Sequence, residues 1–305
     1  MNEKNLISIC ICTYKRLATL ERLLRKLYFQ QTNNLFDIEL ILIDNDYSGS
    51  AKELITNISG EMNIKIKYDI EPIKSIPAAR NRALSLADGN YIAIIDDDEF
   101  PPYNWLFTLY KAINDFEVDG ALGPVIPYFE QKPPAWLIKG KFCERPIYRT
   151  GTVLNWYDTR TGNVLVKKRV FNEHGLKFDL KWKTSGSDRA FFKEAIEHGY
   201  KFIFVAEAPV YEIVPHERWK KGYFVRRAMV HGYNSYVNSI KGAKIGWQLY
   251  TLARSSLALI IYFLFFPFAL LLGPAWYVKC LEKGAHHFSQ LMARFGIELI
   301  KKRDF

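Results

Sequence analysis

Three consecutive aspartates, Asp96, Asp97 and Asp98, followed by Glu99, stand directly after the apolar run Tyr91-Ile-Ala-Ile-Ile95. Like charges repel, and no basic residue inside the run neutralises them. A bound cation accounts for such a cluster. Mg2+ or Mn2+ prefers carboxylate oxygen and keeps coordination positions open for phosphate. If strand geometry continues past Ile95, Asp96 and Asp98 point to one side and Asp97 to the other. An isolated Asp-x-Asp is a weak signal that a solvated turn usually explains. Its place at the end of an apolar strand makes this one informative.

The elements that position these acids are read from apolar spacing. Leu6 to Cys12 is a buried strand, and Leu20, Leu23, Leu24, Leu27 and Tyr28 recur at helical spacing. Ile38 to Ile43 is a second strand ending at Asp44, and Leu54 to Ile58 lies in a helix. An alternating strand, Ile64 to Tyr68, precedes the helix that Pro77 opens, Ala78 to Ala87. Strand and helix thus alternate four times before Asp96. That pattern predicts an α/β fold, a mostly parallel central sheet with helices on both faces. Ligands of such sheets sit beyond the carboxyl ends of the strands, where Tyr14, Asp44 and Asp96 to Asp98 all fall. Further along, 124–149 reads as a long ordered loop and 162–166 as a strand. A helix over 187–198 stops at Gly199, and two more strands run over 201–205 and 210–214.

Five ordered motifs together resemble glycosyltransferase family 2, whose members share the Rossmann-like GT-A fold. They are Ile9-Cys-Ile-Cys-Thr-Tyr-Lys-Arg16, Leu42-Ile-Asp-Asn-Asp46, Ser75-Ile-Pro-Ala-Ala-Arg-Asn-Arg-Ala83, Tyr91 to Glu99, and Ser185-Gly-Ser-Asp188. The third motif is similar to that of bacterial enzymes that build surface polysaccharides. The resemblance implies an inverting transfer of a sugar from a nucleoside-diphosphate sugar to an acceptor hydroxyl. It places Thr13, Tyr14, Arg16, Asp44, Arg80, Asp96 and Asp97 on the donor, with the Tyr14 ring against the base. A carboxylate at Asp44 accepts an imide N–H, which favours a uridine or thymidine donor; alternatively Asp44 caps the following helix. Arg80 sits near a helix start, where a cation gains nothing from the dipole, so a role toward donor base or phosphate competes with a plain ion pair. The divalent cation falls to Asp98 and Asp96, with His216 a further candidate ligand, although a lone histidine is more often none. Asp188 is the expected catalytic base, the alternative being a cap of its own helix. Family members usually carry Glu-Asp here, and Ser187-Asp188 keeps only the second acid.

The chain has 305 residues, a net charge of +10 and 49% hydrophobic residues, enough for one large domain with an appendage. The predicted division is a catalytic domain over 1–240 and a membrane-associated region over 241–305. Between Pro215 and Arg254 eight Lys/Arg stand against Glu217 alone, and 255–278 follows with no charged residue. The basic balance therefore points to a membrane surface and not to nucleic acid. About twenty apolar residues suffice to cross a bilayer. Because Lys and Arg flank both ends, the segment is expected either to cross once or to dip into the cytoplasmic leaflet and return, bending at Pro267 with two arms of about eleven residues. Four cysteines, Cys10, Cys12, Cys143 and Cys280, form no C-x-x-C pair and read as reduced thiols in a cytoplasmic environment. The expected partners are the sugar donor, a glycan or lipid-linked acceptor and the inner face of the cell membrane. Two other classes remain open: a nucleotidyltransferase, which lacks its usual Gly-rich loop here, and a non-catalytic scaffold, which would not need Asp44, Asp96, Asp98 and Asp188.

Overall fold

The computed structural model describes residues 4–62, 65–182 and 186–300. Ser185 of the fifth motif, Ile64 and the basic tail 301–303 lie outside them. The chain divides into two compact units: residues up to Tyr128 with Arg145–Ile213, and Phe129–Glu144 with the chain from Val214 onward.

The first unit is built on β1 (Asn5–Thr13), β2 (Phe36–Asp44), β3 (Lys65–Ile70), β4 (Tyr91–Ile95), β5 (Glu99–Phe100), β6 (Gly120–Leu122), β7 (Val125–Tyr128), β8 (Asn163–Lys167), β9 (Phe202–Phe204) and β10 (Val210–Ile213). Its helices are α1 (Leu17–Tyr28), α2 (Lys52–Glu61), α3 (Ile76–Leu86), α4 (Trp105–Asp115), α6 (Arg169–Asn172) and α7 (Ser187–Glu197); α5 (Ala135–Lys139) belongs to the second unit. Seven strands form one sheet in the order β3-β2-β1-β4-β8-β6-β9, parallel except for β8, which is antiparallel to β4 and β6. A small sheet of β5, β10 and β7 stands beside the acid cluster.

Alternation along the strands divides the core in two. Ile7, Ile9, Ile11, Ala93 and Ile95 face α1, α2 and α4, where Leu20, Leu24, Ile55 and Trp105 are buried. Cys10, Ile41, Ile43, Ile92 and Ile94 face the other side, against Ala79 and Ala83 of α3 and Phe191 and Phe192 of α7. A strand buried on both faces has no polar side, which is why these segments read as continuous apolar runs.

The segment 124–149 differs from the expected long loop. It contains β7, which pairs in parallel with β10, and α5. β7 is four residues long, and its partner lies about eighty residues away, so no local pattern announces it. α4 was likewise not anticipated, although Trp105, Leu106, Leu109, Ala112 and Ile113 carry helical spacing and are buried.

The second unit holds α5 together with α8 (Lys221–Ser235), α9 (Ile245–Leu271) and α10 (Pro274–Arg294). Leu137, Phe142, Phe224 and Val278 form its small core. α9 and α10 run antiparallel, tied by Ser255 to Gln290 and by the Cys280 thiol donating to the Tyr262 carbonyl at 3.1 Å. The bend expected at Pro267 is corrected: Pro267 lies inside the 27-residue α9. The chain turns at Gly273, whose φ of 101° favours a residue without Cβ, and Pro274 then starts α10. The arms are therefore 27 and 21 residues, not about eleven each. α9 is long and apolar enough to cross a membrane, with a mean hydropathy of 1.9 and side chains such as Phe263 and Leu271 exposed.

One buried residue joins several edges of the first unit. Asn163, at the start of β8, donates to the carbonyls of Pro124 and Ala208 and accepts from the Trp105 indole at 2.7 Å. Asn163→Ala orphans all three groups away from water. It should cost about 3 kcal/mol of stability, read as a lower thermal midpoint; an unchanged midpoint would show that these contacts hold nothing together.

Candidate active site

The site begins with how α3 is aimed. Asn45, just past β2, donates to the carbonyls of Glu71 and Ile73 and accepts the N–H of Ser75 at 3.0 Å. That clamp fixes the loop entering α3, and Pro77 sets its first turn. Arg80, one turn later, is 8% exposed. Its guanidinium stacks over the Phe178 ring at 5.5 Å and reaches two carboxylates, Asp188 at 2.5 Å and Asp96 at 3.4 Å. Residues 16 and 108 positions apart from Arg80 thus meet on one cation.

Asp188 lies in the first turn of α7 and its side chain is 28% exposed. It accepts from the Thr161 hydroxyl at 2.8 Å, the Thr161 N–H at 3.3 Å and the Ser187 hydroxyl at 3.1 Å. Burial pushes its carboxyl up, but Arg80 and the hydrogen bonds from Thr161 and Ser187 outweigh it and hold it below the usual carboxylate range. It is therefore ionised at neutral pH and points at groups outside its own helix. No side-chain cap hydrogen bond is made by the residue that precedes α7.

The acid cluster is split by role. Asp97 is buried, accepts from Thr13 at 2.8 Å and pairs with Arg16 at 3.1 Å. It knits the ends of β4 and β1 together. Asp98 also meets Arg16, at 2.9 Å, and its backbone carbonyl accepts the Ile213 N–H of β10 at 2.9 Å. Burial, with Asp96 next, raises the Asp98 carboxyl to about 7. Glu99 is buried and pushed well above its ordinary value, first by burial and then by Asp96. It lies opposite Glu212 across the β5–β10 pair, and Glu212 is paired with Arg145. These acids stand close together at the end of β4 and across the small sheet. Gly162 lets β8 approach them: a Cβ there would stand 2.6 Å from the Glu99 carboxylate and 3.2 Å from that of Asp96.

The other expected donor residues are placed as follows. Tyr14 is half-buried beside Lys74, whose ammonium lies 4.7 Å from the ring centre. Asp44 is fully buried and accepts from the N–H of Asp46 at 3.0 Å, the N–H of Ala51 at 2.7 Å and the Tyr68 hydroxyl at 3.1 Å. These contacts fix the turn that leads from β2 into α2. His216 belongs to the second unit, in a short turn where its ring lies 3.9 Å from that of Trp219. Among the described residues no three His, Cys, Asp or Glu converge as a complete metal cage. Mg2+ does not require one, because it is commonly held by one or two carboxylates plus substrate phosphates. Asp96 and Asp98 supply two neighbouring carboxylates for that pattern, met on the protein side by Arg80 and Arg16.

Sequence reasoning missed Thr161, Phe178 and Glu212. Thr161 directly precedes Gly162 and the β8 strand, but no local signal pairs it with Asp188.

Comparison with known proteins identifies the family and the fold. A model described as glycosyl transferase family 2 matches residues 8–175. The succinoglycan biosynthesis protein ExoM of Rhizobium meliloti is 30% identical over 233 residues, 76% of this chain and 74% of that protein. WfaP of Escherichia coli, a UDP-Glc:α-D-GlcNAc-diphosphoundecaprenol β-1,3-glucosyltransferase, is 26% identical over 53% of this chain and 61% of its own length. The crystal structure of S. aureus TarS residues 1–349 in complex with UDP superposes with a TM-score of 0.54 at 15% identity, covering 97% of this chain and 92% of that one. At that identity the likeness speaks for the fold.

Removing Arg80 leaves Asp188 and Asp96 without their shared cation. Because the Asp188 value is depressed in the folded chain, the pair contributes stability above the ordinary carboxylate value and loses it as pH falls through the lower, folded value. Arg80→Leu should therefore cost about 3–5 kcal/mol near pH 7, a cost that begins to shrink only below the ordinary carboxylate value and disappears below the depressed Asp188 value. Thermal melts across that range read it; a pH-independent difference would mean the charges do not couple.

Proposed function

The chain belongs to glycosyltransferase family 2, and we propose that it is an inverting enzyme that moves a sugar from a UDP- or dTDP-linked donor to an acceptor hydroxyl in surface-polysaccharide or glycolipid synthesis. The observation that carries this reading is the ionised Asp188 held on the same guanidinium as Asp96. A displacement at an anomeric carbon needs a base on the acceptor hydroxyl and positive charge on the departing diphosphate. Asp188 supplies the first: its proton affinity is low, but in the transition state the hydroxyl it meets is losing its proton. Asp96 and Asp98 mark the second side. A divalent cation held by them would neutralise the diphosphate as it leaves. Arg80 keeps the Asp188 carboxylate ionised and in place, and Thr161 and Ser187 fix its orientation. Thr13 and Arg16 hold Asp97 and Asp98 at the ends of the parallel strands, where nucleotides bind in such sheets. Tyr14, with Lys74 across its ring, is the stacking surface for the base.

The printed names of the relatives support the same class. ExoM is named for succinoglycan biosynthesis, WfaP for transfer from UDP-Glc to a lipid diphosphate sugar, and TarS was solved with UDP. The exposed apolar side chains of α9 support attachment to a membrane. The catalytic unit would then stand on the cytoplasmic side, where nucleotide sugars are made.

Two substitutions separate the roles. Asp188→Asn should lower turnover roughly 100-fold or more, the usual scale for a positioned base, with donor affinity nearly unchanged. Near-normal transfer would move the base elsewhere, and a collapsed thermal midpoint would make Asp188 a structural residue. Asp98→Ala should abolish the part of donor binding that depends on Mg2+ or Mn2+. Equal affinity in chelator and in metal for the unaltered chain would dismiss the cation from this site.

A further inference from the structure

On the base side of the site lies a group of arginines that the transfer chemistry leaves unused. Arg160 immediately precedes Thr161, and Arg189 immediately follows Asp188. The two hydrogen bonds from Thr161 to Asp188 therefore bring their backbones together. Arg160 is half-buried and Arg189 exposed, and neither makes an ion pair or a side-chain hydrogen bond among the described residues. Burial, then Arg145 and then Arg189 press the Arg160 guanidinium below its ordinary value, and the opposing pull of Tyr148 and Asp188 does not make up for them. Arg145 is already paired with Glu212. The short turn Trp156–Asp158 packs against α7 and presents Trp156 and Tyr157, both largely exposed.

Half-burying an arginine beside other arginines costs free energy that Tyr148 and Asp188 return only in part. Two forked guanidiniums at one spot match the oxygens of a phosphate. We propose that Arg160 and Arg189, with Arg145 beside them, bind a phosphate or diphosphate carried by the acceptor, while Trp156 and Tyr157 receive its sugar. The assignment to the acceptor rests on the reading of Asp188 as the acceptor's base, because the arginines flank that residue and not Asp98. It names the acceptor class: a sugar on a phosphate or diphosphate carrier and not a neutral glycan.

Inorganic pyrophosphate is the probe, titrated calorimetrically into the full chain with and without saturating UDP and Mn2+. The wild type should bind pyrophosphate alongside UDP. Arg160→Gln and Arg189→Gln should each weaken that binding about tenfold or more, the scale of a lost charge-assisted hydrogen bond, with UDP affinity unchanged. Arg189 is exposed, so its variant decides the matter if Arg160→Gln melts early. Equal pyrophosphate affinity in both variants overturns the proposal. So does competition in which UDP displaces pyrophosphate from the arginines, which would give them to the donor. A wild type that fails to bind UDP would count against the donor reading alone, since the arginine dependence of pyrophosphate binding is read in the same titration.

Discussion

A buried guanidinium shared by two carboxylates organises the active site. Taking Arg80 out of water is costly, and the cost is offset only because Asp188 and Asp96 approach it and Phe178 covers its face. The arrangement demands that α3, α7 and the end of β4 be fixed relative to one another. Asn45 clamps the entry to α3, Thr161 ties β8 to α7, and the Ile213 N–H ties β10 to the acid turn. Once these are set, the base and the donor-side acids have little freedom left.

The same economy explains the asymmetry of the acids. Asp188 has a dedicated cation and stays ionised. Asp98 shares Arg16 with Asp97, and Glu99 faces Glu212 across a strand pair. Like charges directly opposite on paired strands destabilise them. Here burial and Asp96 raise the Glu99 carboxyl well above its ordinary value, and Glu212 is paired with Arg145.

Much of this was legible in the sequence. The strands ending at Thr13, Asp44 and Ile95 are apolar on both faces, and the helices carrying Arg80 and Asp188 announce themselves by Pro77 and Gly199. The meeting of Arg80 with Asp188 was not legible, because it spans 108 residues and follows from sheet order, which no local pattern encodes. β7 and β5 are too short to show a period and exist through pairing with β10. Asp44 shows position and contact combined: the residue that ends β2 also fixes the turn into α2 through the N–H groups of Asp46 and Ala51. The turn between α9 and α10 falls at Gly273 and not at Pro267, because a proline lacks one hydrogen bond but a left-handed residue reverses the chain.

The proposed pairing of Asp188 as base with a leaving-group site at Asp96 and Asp98 has a stereochemical consequence. One displacement inverts the anomeric carbon, whereas two displacements, or a front-face departure, retain it. Proton NMR of the first product formed from an α-linked nucleotide sugar reads the configuration directly. A β-linked product is the result expected if Asp188 activates the acceptor for one in-line attack; an α-linked product would contradict that role.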